Sequence, residues 1–222
     1  VSMHNMHNLY GDQFIGIALH QFNSNDPMYY ASYDLGFTGA PQCMVNRSSG
    51  VLAPYEQMPE ALKASLKEIA MTEVTVAGTF TDEDTKVNAT ASVESLAAGD
   101  YNIAFMLTAD GLTGTTTSWK QHNYFCKGGG RYSSKASMPD DLKFLWDKGS
   151  SYVETYNDVL IASSYVSNKN KATLPTLVAN GTVSSEYTLK MPTKVILKKA
   201  LKLDQIYVVA LLLDKKTGAI VN

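Results

Sequence analysis

Residues 72–95 read TEVTVAGTFTDEDTKVNATASVES, and this stretch decides the fold class. Val74, Val76, Gly78 and Phe80 alternate with Glu73, Thr75, Ala77 and Thr79. Val87, Ala89, Ala91 and Val93 alternate in the same way with polar or small residues. A period of two places one side-chain set on one face of a strand, so each run predicts a half-buried strand. Asp82-Glu83-Asp84 between them is turn chemistry and predicts a hairpin. Further C-terminal, Gly99-Asp100 leads into alternating Tyr101, Ile103, Phe105 and Leu107. Asp158–Val166, Ser185–Met191, Val195–Leu201 and Gln205–Leu213 are also read as strands. About seven short strands separated by turn signals predict an antiparallel sandwich. Residues 113–156 are less regular. They hold Gly128-Gly129-Gly130, Pro139, Trp119 and Trp146, and predict a decorated connection with one short helix near Asp140–Trp146.

Upstream of Met71 the periodicity differs. Met3, Met6, Leu9 and Tyr10 share one helical face over Val1–Tyr10, and Gly11 suits the position just past a helix end. Phe14–Leu19 is a short apolar run read as a buried strand. Asn25/Asp26 before Pro27 is a helix-start signal, predicting a helix over Met28–Leu35 that stops at Gly36. Gln42–Asn46 is a second expected strand. Leu62, Leu66 and Ile69 at i, i+4 and i+7 predict an amphipathic helix starting near Pro54. This order of helices and strands is an α/β pattern. The chain is therefore divided into residues 1–70 and 71–222, with no Pro- or Ser-rich linker between them, and its overall class is α+β.

The 222 residues carry 19 Lys+Arg against 21 Asp+Glu, a net charge of -2. That balance argues against a chain-wide basic surface, so no nucleic-acid partner is expected. Hydrophobic residues make up 45% and charged residues 18%, which is a globular rather than a disordered composition. No apolar run reaches the ~18 residues of a membrane-spanning helix.

Reactive side chains are sparse. Cys43 and Cys126 are far apart in sequence, and neither belongs to a Cys-x-x-Cys; they are either a disulfide, which needs Cα atoms within about 7 Å, or two free thiols. His4, His7 and His20 lack an acidic partner at metal-ligand spacing, so no metal site is assigned. There is no Gly-x-Ser-x-Gly elbow, and the triple glycine lacks the Lys-Ser/Thr of a phosphate loop. No catalytic residue and no cofactor is assigned. Paired acids at Asp82/Asp84 and Asp140/Asp141 lie in turn contexts, where Asp serves local hydrogen bonding. Trp119, Tyr124, Tyr132 and Trp146 stand in the irregular segment with other aromatics. Two uses are open to them: a ligand surface, or cover over one end of the sheet core.

Two sets of motifs carry a family resemblance. Leu9-Tyr10-Gly11-Asp12, Phe14–His20 and Gly39-Ala40-Pro41-Gln42-Cys43-Met44-Val45-Asn46-Arg47 resemble the later half of a thioredoxin-like domain. Ala109–Gly114, Trp119–Tyr124, Tyr156–Val159 and the terminal Leu213–Asn222 are similar to the Omp28-related outer membrane proteins of Bacteroidetes. That family has a thioredoxin-like domain followed by an immunoglobulin-like sandwich. The resemblance implies that Pro41 follows a cis peptide bond, which only ~5–6% of X-Pro bonds do. It implies a cell-envelope protein at the outer membrane or cell surface, held by a lipid anchor upstream of Val1. It implies a non-enzymatic binding or structural role toward a peptide, protein or glycan. The alternative it leaves open is a thiol–disulfide oxidoreductase whose Cys-x-x-Cys lies upstream. The family's opening strands are missing here, so the chain is expected to be a fragment or to have its sheet completed by another segment.

Overall fold

In the computed structural model, which describes residues 2–222, helix α1 covers Ser2–Tyr10 and ends at Gly11, whose φ of +52° is the left-handed value expected just past a helix. Helix α2 spans Met58–Ser65. Strands β1 (Thr72–Thr81), β2 (Lys86–Ser95) and β3 (Tyr101–Ala109) follow. The short pairs β4 (Gln121–His122) and β5 (Ser151–Tyr152) flank the one-turn helix α3 (Lys143–Trp146). Strands β6 (Val159–Ser163), β7 (Tyr165–Val166), β8 (Lys169–Asn170) and β9 (Gly181–Lys190) come next. Helix α4 (Val195–Lys198) and β10 (Ile206–Asp214) complete the chain. The molecule is α+β with mostly antiparallel sheets.

Two three-stranded sheets dominate, β1-β2-β9 and β10-β3-β6. The hairpin forms as its alternation predicts. Thr72 pairs with Ser95 and Thr81 with Lys86, which sets Val74 opposite Val93 and Phe80 opposite Val87. Asp82, Glu83 and Asp84 all take positive φ, and Lys86 Nζ bonds Asp82 at 2.5 Å across the turn. The inward faces of both sheets share one core, in which Val87, Ala89, Ala91 and Val93 of β2 meet Ile103, Phe105 and Leu107 of β3.

The opposite face of the second sheet is not left to water. Ala104, Met106, Leu160, Val209 and Leu211 are buried there under Tyr33, with Ile17, Leu19, Tyr30 and Leu35 packed around them. Residues 17–35 therefore line that face, and β3 is buried on both sides from Ile103 to Ala109. A third cluster joins Met6, Val45, Met58 and Leu62.

Several expected elements take other forms. Phe14–Leu19 is extended but pairs only at Ala18, in a parallel bridge to Val159 that continues the second sheet. Gln42–Asn46 contributes a single antiparallel bridge, Cys43 to Leu52. The helix expected over Met28–Leu35 does not form. Tyr33 and Leu35 face the sheet while Asp34 and Gly36 face solvent, so burial imposes a period of two and overrides the start signal at Asp26. The expected strand at Val195–Leu201 is the helical turn α4, because Ile196, Leu197, Ala200 and Leu201 reach the core together, a spacing only a helix allows. Helix α2 stops at Ser65, and Ile69 is 86% exposed rather than on the buried face.

Candidate functional site

Asp26 organises the loop that follows the Phe14–Leu19 segment. It is buried, and its Oδ1 accepts the Met28 N–H at 2.8 Å in a tight Asx-type turn, not at a helix start. His20 Nδ1 lies 2.9 Å from Oδ2, and Gln121 Nε2 donates to the same oxygen at 2.8 Å. Lys194 Nζ donates to the Asp26 carbonyl at 2.5 Å. Burial opposes ionisation of this carboxyl, but the hydrogen bond and charge of His20, with the donors from Met28 and Gln121, outweigh it and hold the group below its ordinary value. One aspartate thus ties together the 20–29 loop, β4 and the approach to α4.

This tie shapes a recess of about 230 Å³ lined by Gln21, Phe22, Tyr29, Tyr33, Asp34 and Phe37. Tyr33 is its buried member. Its ring lies 4.7 Å from that of Tyr165, with the Arg47 guanidinium 5.8 Å from its centre. Burial pushes the Tyr33 phenol up to about 12, with Arg47 pulling the other way. Asp34 accepts the Gly36 N–H through Oδ1 at 2.8 Å, and Gln21 Nε2 donates to that oxygen at 3.4 Å. The Asp34 N–H donates to Asn168 Oδ1 at 3.1 Å, and Tyr30 Oη lies 2.9 Å from Ser163 Oγ. The recess is therefore fastened to the second sheet and to the β7–β8 hairpin.

A second histidine–carboxylate contact joins α1 to the sheets. His7 Nε2 lies 3.0 Å from both oxygens of Asp158, whose carboxyl is raised by burial, with His7 and its charge pulling it down. The two histidines thus serve separate aspartates, and no group of three or more His, Cys, Asp or Glu within metal-binding reach occurs among the described residues.

The residues singled out in the sequence do not converge. The Ala40–Pro41 peptide bond is cis. Cys43 and Cys126 are free thiols, not a disulfide, and burial raises the Cys43 thiol. Trp119 is 2% exposed, packs in the core between the sheets and stacks against Tyr156 at 6.4 Å, so it forms no ligand surface. Trp146 and Tyr132 cover a small separate cluster of Met138, Leu142 and Leu145. Tyr124 is 54% exposed and its ring lies 4.2 Å from that of His122. The four aromatics are thus divided between the core, a satellite cluster and open surface. A helix over Met28–Leu35, the reading its start signal favours, would not form the 21–37 recess. The available signal is the density of aromatics over Phe22–Phe37, which is higher than in the 113–156 segment.

No protein-family model, curated protein or solved structure matches the chain.

Proposed function

We propose that the chain is a non-enzymatic binding module of the cell envelope, associated with the outer membrane or cell surface and related to the Omp28-related family. The observation that carries the binding reading is the aromatic recess of residues 21–37, held in shape by the Asp26 hub and by contacts to the second sheet. A surface hollow with aromatic walls and a few oriented polar groups is the usual form of a ligand site. The immunoglobulin-like reading of residues 71–222 is supported by two antiparallel three-stranded sheets sharing one core. The thioredoxin-like reading of residues 1–70 rests on the sequence motifs, and the lipid anchor on the family resemblance alone. No helix is long and apolar enough to cross a membrane among the described residues. The oxidoreductase alternative gains nothing from Cys43, since thiol exchange needs a lowered thiol pKa and burial here raises it.

Fractionation of native cells tests the location: recovery with outer-membrane or surface material is expected, and recovery with cytosol overturns it. A fragment library screened by amide chemical-shift mapping tests the site. Saturable shifts should concentrate between residues 20 and 37. Shifts confined to other surfaces overturn the assignment of the recess.

A further inference from the structure

The geometry points to a single neutral pyranose ring of a glycan as the occupant of the 21–37 recess. This inference rests on the binding reading above and deepens it. At about 230 Å³ the recess is smaller than the roughly 300–1,000 Å³ of sites for drug-sized molecules, and it is open on one side. It takes one ring and leaves the rest of a chain outside. Phe22 is 53% exposed at the recess, Tyr29 and Phe37 are half-buried, and Tyr33 is buried. The π-face of an aromatic ring carries negative charge density, and it attracts the weakly polarised C–H bonds on the apolar face of a sugar.

The polar groups suit hydroxyls. Asp34 spends Oδ1 on Gly36 and Gln21, while Oδ2 accepts no hydrogen bond among the described residues. Gln21 Oε1 is buried without a partner, a state shared by no other side-chain polar atom among the described residues. A buried acceptor left unpaired calls for an explanation, and a donor brought by a ligand provides one. Turning about its soft terminal torsion brings Gln21 Oε1 out toward the recess and gives up the long 3.4 Å bond from Nε2 to Asp34 Oδ1. Adjacent hydroxyls of one ring can then donate to Gln21 and Asp34 while the ring lies on Phe22 and its neighbours. An anionic ligand fits less well. The Arg47 guanidinium is occupied by the Tyr33 ring and the Tyr165 hydroxyl, to which it donates at 3.1 Å, and Asp34 brings negative charge.

The test titrates the α-methyl glycosides of glucose, galactose and mannose, each into the ¹⁵N-labelled chain, with N-acetyl-tyrosine amide as the non-sugar probe. At least one glycoside should give saturable shifts at Gln21, Phe22, Asp34 and Phe37, with a dissociation constant near about 1 mM. Phe22→Ala should weaken that binding roughly tenfold while leaving the remaining spectrum in place. Asp34→Asn, which keeps an acceptor for Gly36, should weaken it as well. Sugar shifts located elsewhere, or unchanged affinity in both variants, overturn the inference. If only the tyrosine amide perturbs the recess, the sugar assignment falls and the binding reading stands. If neither probe does, both fall.

Discussion

Asp26 carries a charge that the fold both buries and uses. Its folded pKa is held below the unfolded value of about 3.9, so its stabilisation is fully present above that value and disappears as the pH falls through the folded pKa. Asp158 has the opposite sign. Its pKa is raised on folding, so its contribution is present below the unfolded value and is lost as the pH rises through the folded one. Asp26→Asn keeps the Oδ1 acceptor for Met28 but replaces with an amide nitrogen the Oδ2 that pairs with His20 and accepts from Gln121. It should cost about 1.5–3 kcal/mol at pH 7 in urea unfolding, with the difference shrinking toward pH 3. An equal cost at both pH values would count against a charged hub. The residue was visible in the sequence, but its role was not. Asn-Asp-Pro is a helix-start pattern, whereas the partners that decide its use, Gln121 and Lys194, are about 95 and 168 positions away in the chain. Trp119 shows the same limit, since its residue type suits an interface or a core and only burial distinguishes them.

At the level of elements, legibility followed the strength of the period. The β1–β2 hairpin, β3, β9 and β10 were readable because each alternates or is apolar over nine or ten residues. Short apolar runs were not. Phe14–Leu19 and Val195–Leu201 are both short and largely apolar, yet one is an extended edge segment and the other opens on a helical turn, a choice that so short a run does not encode. The hairpin turn also holds an energetic cost. Three consecutive residues, Asp82, Glu83 and Asp84, sit in the left-handed region, where a residue with a Cβ is disfavoured. Glu83 has no short side chain to bond its own backbone, so Glu83→Gly should raise stability by about 0.5–1 kcal/mol, after the extra freedom glycine gains when unfolded is offset. A fall in the unfolding midpoint would show that the Glu83 side chain contributes more than its backbone costs.

For the molecule as a whole, the first 35 residues are part of the packing of the sheets. Tyr33 and its neighbours bury the outer face of the second sheet, and Met28 enters the core between the sheets. Trp119 and Trp146 belong to different clusters, which makes each a reporter of its own region. Within each single-tryptophan variant, the urea midpoint read by fluorescence should match the one read by far-UV circular dichroism. Separate midpoints would mean that the 113–156 segment unfolds on its own. The sheets are legible in the sequence, whereas the packing of Tyr33 in one cluster with Met106 leaves no trace in periodicity.

Strand β3 is covered on both sides, by the inter-sheet core on one and by residues 17–35 on the other. Its amides can meet solvent only when two layers separate at once. In deuterium oxide, the protons of Ala104–Leu107 should therefore be the last to be replaced, at a rate set by global unfolding, while those of the exposed β1 edge are replaced through local fraying.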